Sequence, residues 1–188
     1  MDTQRLPLLI LVSGKPGAGK STLARRLAAE DALWLPLASC DPIRVGLLET
    51  DVAASGRAVI SVFYGNIDYL LDRGVSLIAE LSFRRGLDEP QLQQRIGRCR
   101  MVNIHCLTTI AVSQQRFLAR QRTRRPIQSV DTVSPAMENG TFDWSVFEPL
   151  DLPIPRLCVD TTSEYAPELA TVIAFCRGND AVHTPVTG

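Results

Sequence analysis

Apolar residues fall along the chain in two rhythms. Short unbroken runs at Leu8–Ser13 (LLILVS), Val75–Leu81 (VSLIAEL) and Met101–Leu107 (MVNIHCL) lack the alternation of a half-exposed strand, and they predict strands buried on both faces. Leu33–Ala38, broken by Pro36, and Arg156–Asp160 predict two more. Between these runs the apolar positions switch to helical spacing, over Thr22–Glu30, Glu89–Arg98, Ser113–Arg122 and Ala166–Cys176. Ala58–Asp72 is the plainest case: Val59, Val62, Phe63, Ile67, Leu70 and Leu71 share one face, and Gly74 ends it. Asp41–Leu48 opens on Asp-Pro, a cap followed by a first-turn proline. Thr123–Leu150, with Pro126, Pro135, Gly140 and Pro149, is irregular and predicts a lid and substrate loop.

Strands alternating with helices predict an α/β fold of three layers, α/β/α, around a five-stranded and mostly parallel sheet. A length of 188 residues suits one core. The expected organisation is a single domain over residues 1–176, with its lid at about 113–150 and a polar, disordered tail at 177–188. No run approaches the length of a membrane span, and the N-terminus lacks a signal-peptide pattern, so the expectation is a cytoplasmic protein. Five cysteines without a CxxC pair predict buried free thiols rather than zinc ligands or disulfides.

One motif changes the picture. Gly14-Lys15-Pro16-Gly17-Ala18-Gly19-Lys20-Ser21, followed by Thr22, satisfies GxxxxGK[ST] between a buried strand and a helix. The glycines let the backbone turn its N–H groups onto phosphate oxygens, and the helix start adds its positive end. Lys20 is placed to reach the β- and γ-phosphates, and the Ser21 hydroxyl to ligate Mg²⁺. ATP with Mg²⁺ is therefore expected. The motif does not say whether the γ-phosphoryl passes to water or to another molecule.

Asp41 follows the second strand, where ligands of open α/β sheets bind. A carboxylate there can accept the proton of an attacking hydroxyl, and Arg44, one turn on, can hold an acceptor or the transferring group. The plainer alternative is a helix cap and a surface charge. Glu80 is an acid near the end of an apolar strand; it serves a metal or Arg84, or the strand surfaces there and leaves it in water.

Charge sums to zero, with 20 basic and 20 acidic residues, which counts against a dedicated nucleic-acid binder. Its distribution is uneven, since Arg84 to Arg125 carry ten arginines against Asp88 and Glu89. Arg116, Arg120, Arg122, Arg124 and Arg125 form the densest run. Arg116 and Arg120 share a helix face, and such guanidinium groups suit binding phosphate oxygens as a lid closes. A solvated basic face or a nucleic-acid groove are the competing accounts, the latter without aromatics to stack bases. Asp160-Thr161-Thr162 either borders the nucleotide base or caps the last helix, and Trp144 is either core or an acceptor contact.

GKPGAGKST followed by DPIR resembles the P-loop kinase group of polynucleotide 5′-kinases, zeta toxins and chloramphenicol phosphotransferases, the AAA-type ATP-binding kinase-like proteins. The resemblance spans roughly residues 8 to 175. It implies that Asp41 is the general base with Arg44 beside it. It also implies that Glu80, Ser82 and Arg84, in ELSFR, line the acceptor or metal site. By the same likeness Arg120, with Arg116 and Arg124, contacts ATP from the lid. The implied activity is transfer of the γ-phosphoryl to a hydroxyl of a small-molecule acceptor. A polynucleotide 5′-hydroxyl acceptor and a regulatory ATPase without acceptor remain as alternatives.

Overall fold

The computed structural model describes residues 6–49, 56–123 and 133–178. Five strands form one sheet: β1 (Leu8–Gly14), β2 (Leu37–Ser39), β3 (Leu77–Glu80), β4 (Arg100–Leu107) and β5 (Arg156–Asp160). Their order is β2-β3-β1-β4-β5, and every pairing among the described strands is parallel, in keeping with the expected five-stranded sheet. The alternation along β1 explains why its sequence reads as continuously apolar. Leu9 and Leu11 enter one core cluster, and Leu8, Ile10 and Val12 the other.

On the first face pack α3 (Gly56–Leu71) and α4 (Glu89–Gln93), through Val59, Phe63, Ile67, Leu71 and Leu92. On the second pack α1 (Lys20–Ala29) and α7 (Leu169–Arg177), through Leu23, Ala24, Leu27, Val172 and Cys176. The helices α2 (Cys40–Glu49) and α5 (Ile110–Thr123) begin just past the carboxyl ends of β2 and β4, and α6 (Val133–Glu138) comes between α5 and β5 in the chain. The five cysteines are free, four of them buried. No helix among the described residues is long and apolar enough to cross a membrane.

Several boundaries move from the sequence expectation for local reasons. Leu33 and Trp34 donate back to the Glu30 carbonyl, closing a turn after α1. Leu33 and Leu35 therefore pack as core residues outside the ladder, and β2 begins only at Leu37. The helix expected over Glu89–Arg98 ends at Gln93, where Arg95 and Ile96 bond three residues back and Gly97 takes φ 90°. Ala166 is held by two backbone bonds to Asp160, so α7 starts at Leu169. The segment expected to be irregular contains α6 and a 3₁₀ turn at Ser145–Phe147. The tail from residue 179 onward, Arg124 and Arg125 lie outside the described residues.

Candidate functional site

The glycine loop joins β1 to α1 with Gly14, Gly17 and Gly19 at φ 131°, 84° and 77°. Space as well as conformation demands glycine at two of these positions. A Cβ on Gly14 would lie 2.5 Å from the Cys106 carbonyl oxygen, and one on Gly17 would lie 2.1 Å from that of Ser113. The loop is thus seated on β4 and on the first turn of α5. Lys20, buried at the start of α1, donates to the Lys15 carbonyl oxygen at 2.9 Å, folding its ammonium back inside the loop. Burial lowers its pKa, an effect opposed first by the charge of Glu80.

Glu80 is buried, and both of its oxygens accept. Ser21 Oγ donates to Oε1 at 3.2 Å and Ser39 Oγ to Oε2 at 2.8 Å. The sheet sets this up, because Ser39 on β2 is the register partner of Glu80 on β3, and Val12 of β1 flanks it on the other side. Of the two accounts of Glu80 left open by the sequence, the solvated strand end is excluded. These oxygens are hard ligands, the carboxylate anionic and the hydroxyls neutral, and they suit Mg²⁺. Among the described residues no group of three or more His, Cys, Asp or Glu converges. An ion at Ser21 and Glu80 would therefore take its other ligands from phosphate and water, as Mg²⁺ commonly does.

Asp41 stands in the first turn of α2, and it lines the same cavity as Lys20, Ser21, Glu80, Ser82 and Arg84. Arg44 and Arg120 line it too. At about 1720 Å³ the cavity is larger than the roughly 300–1,000 Å³ that holds one small ligand, so it has room for two substrates. Cys40, next to Asp41, is pushed up to about 12 by burial and stays a protonated thiol. The backbone N–H of Arg84 donates to Asp88 Oδ2 at 2.6 Å, which fixes the loop that carries Arg84 into the cavity. Burial raises the Asp88 pKa, while that backbone bond and the Arg84 charge oppose the rise.

The arginines expected in the lid divide. Arg120 borders the cavity with its guanidinium carbon 5.7 Å from the Phe117 ring. Arg116 instead donates to the carbonyl oxygens of Thr161 and Thr162, at 3.0 and 2.7 Å. Arg124 lies outside the described residues. The loop after β5 is thereby tied to α5, and through Thr161 Oγ1 also to the Ala18 carbonyl at 2.8 Å. Thr161 is buried and Gly19 faces it, so this loop abuts the glycine loop directly.

Sequence reasoning missed Ser39, whose only signal was a hydroxyl at a strand end two residues before Asp41. It also missed the ion pair of Lys15 with Glu148, at 3.3 Å and separated by 133 positions. Below the glycine loop Ser13, Asn103 and His105 form a buried polar group: Ser13 Oγ is 2.9 Å from His105 Nδ1, and Asn103 Nδ2 donates to Ser13 Oγ at 2.9 Å.

No family model matches the chain, and no curated protein does. Solved structures do. A sugar kinase from Janibacter sp. HTCC2649 superposes with a TM-score of 0.59 at 17% identity, over 92% of this chain and 95% of that one. The shikimate kinase of Acinetobacter baumannii, in complex with shikimate, gives 0.53 at 17%, over 95% and 97%. At such identity these two establish the fold alone. The crystal structure of a "putative kinase" from Chloroflexus aurantiacus J-10-fl gives a TM-score of 0.77 at 30% identity, covering 94% of this chain and 100% of that one. The chain therefore belongs to the same family as that Chloroflexus protein, and its fold is that of the P-loop kinases.

Proposed function

We propose that the protein transfers the γ-phosphoryl group of Mg-ATP to a hydroxyl of a small-molecule acceptor, with Asp41 as general base. The observation that carries this reading is the convergence on one cavity of a complete phosphate loop, the Ser21–Glu80–Ser39 cluster and the Asp41 carboxylate. When bound, Mg²⁺ would neutralise charge on the phosphates, and Ser21 with Glu80 are the residues to hold it.

The chain's own groups divide the remaining work. Backbone N–H groups of the loop from Gly14 to Ser21, all but Pro16, cradle the phosphates of ATP with Thr22 behind them, and Lys20 swings from the Lys15 carbonyl to their β- and γ-oxygens. Asp41 takes the proton of the acceptor hydroxyl as its oxygen attacks, and holds that hydroxyl in line. Arg44, Ser82 and Arg84 orient the acceptor. Arg120 spreads the charge of the transferring group, and a lid carrying it with Arg116 and Arg124 excludes water. For Arg116 this requires release from Thr161 and Thr162. A polynucleotide acceptor is disfavoured by the balanced net charge.

Replacing Asp41 with Asn tests the assignment. It is expected to leave ATP affinity within about twofold and to lower transfer by about 10²-fold or more, since the base is lost and the shape kept. Transfer retained by the variant would remove Asp41 as the base. ATP turnover equal in variant and wild type, with no organic product, would favour a regulatory ATPase.

A further inference from the structure

The cavity has a wall that the phosphate chemistry does not use. Phe142, half-buried, lines it, meeting the Trp144 ring edge-on at 4.7 Å and lying parallel to the buried Phe147 ring, at 5.8 Å and 13°. The wall is fixed along its length. Phe142 N–H donates to the Ala136 carbonyl at 3.0 Å, and Asp143 Oδ1 accepts from both the N–H and the hydroxyl of Ser145. The Val146 carbonyl accepts from Arg85 N–H at 2.6 Å, and Glu148 closes the segment onto Lys15 of the phosphate loop. A rigid aromatic surface joined to the phosphate loop is thus part of the chamber.

The same chamber is lined by Ser61 on α3, by Gln91 on α4 and by Gln94 just beyond it. All three are exposed, and among the described residues none of their side chains is engaged in a hydrogen bond, so their hydroxyl and amide groups are open to a ligand. An aromatic face with hydroxyl and amide groups in one chamber suits a ligand with an apolar C–H face and a hydroxylated rim. A ring presents both without freezing rotors, whereas an open chain would lose conformational freedom to do so.

We propose that Phe142 determines acceptor specificity, and that the acceptor is a polyhydroxylated ring, of the pyranose or cyclitol class, lying with its C–H face on Phe142. This rests on the phosphotransferase reading above. Phe142 supplies the flat contact, Phe147 and Trp144 hold its ring, and the ring's hydroxyls meet Ser61, Gln91 and Gln94. One hydroxyl is then presented to Asp41.

The chain has two tryptophans, so a Trp34→Phe background leaves Trp144, in contact with Phe142, as the sole fluorescent reporter of the wall. In that background, with a Mg²⁺-bound non-hydrolysable ATP analogue present, glucose and myo-inositol are titrated against sorbitol and gluconate. The rings are expected to shift Trp144 fluorescence and to bind about tenfold tighter than the open chains. Phe142→Ala should weaken ring binding by about tenfold, with analogue affinity unchanged, and Phe142→Tyr should restore it.

Open-chain polyols binding as well as rings would overturn the proposal. So would an unaltered ring affinity in Phe142→Ala, no response to either ring at about 50 mM, which is beyond the usual range of substrate affinities, or tighter binding of a 5′-hydroxyl oligonucleotide. Nucleotide binding separates the two levels. If the analogue binds through Lys20 but rings do not, only the acceptor assignment fails; if the analogue does not bind, the phosphotransferase reading falls, and this one with it.

Discussion

Burying a carboxylate costs several kcal/mol unless its oxygens are satisfied, and among the described residues Glu80 has two hydroxyl donors but no full counter-charge in bonding contact. That imbalance is what a divalent cation would relieve, and it makes Glu80 the most informative single residue of the site. His105 is the second. Burial lowers its pKa from the ordinary 6.5 to about 4, so the folded protein keeps it neutral. The unfolded chain binds that proton first as pH falls. Stability from this residue is therefore full above pH 6.5 and drains away down to about pH 4. The loss is on the order of 3 kcal/mol across that window. Chemical denaturation of wild type and His105→Gln at several pH values checks this. Their difference should shrink as pH falls through the window, and a constant difference would mean that His105 titrates normally.

Elements explain what single residues do not. The phosphate loop is legible in the sequence because its motif and its flanking strand and helix are all local. Its seat is not legible: the contact of Gly17 with Ser113 joins positions 96 apart, and only the fold reveals that α5 closes against the loop. Gly17→Ala is consequently expected to do two things at once. It would lower stability by about 2 kcal/mol through strain at a positive φ and contact with backbone, and weaken ATP binding by about tenfold or more. Thermal unfolding and nucleotide titration of the variant measure both. A stable variant with normal affinity would show that the loop yields freely.

The same contrast runs through the other elements. Buried strands β1, β3 and β4 were readable as apolar runs, whereas β2 shrank to three residues because the turn after α1 removed its first half. The sequence places Arg116 on one helix face with Arg120 and carries no sign of the partners it holds in this structure. Its bonds to Thr161 and Thr162 depend on where β5 ends beside α5, which no local pattern encodes.

At the scale of the whole molecule, an all-parallel sheet gathers the carboxyl ends of its strands on one side. The phosphate loop and Asp41 follow β1 and β2 there and Glu80 ends β3, so residues distant in sequence share one chamber. Fold class and this gathering follow from strand–helix alternation. The facing wall does not, because it is drawn from α3, from α4 and the turn after it, and from residues 142–147, whose side chains no motif joins. The family relationship fixes the fold of this chamber and leaves its substrate to be decided by those side chains.

In the proposed function this chamber moves a phosphoryl group between two bound molecules. Incubating the protein with Mg²⁺, γ-labelled ATP and a metabolite extract tests it directly. Label is expected in an organic phosphate ester, formed by wild type and not by Asp41→Asn. Label appearing solely as inorganic phosphate, in equal amount from both proteins, would contradict it.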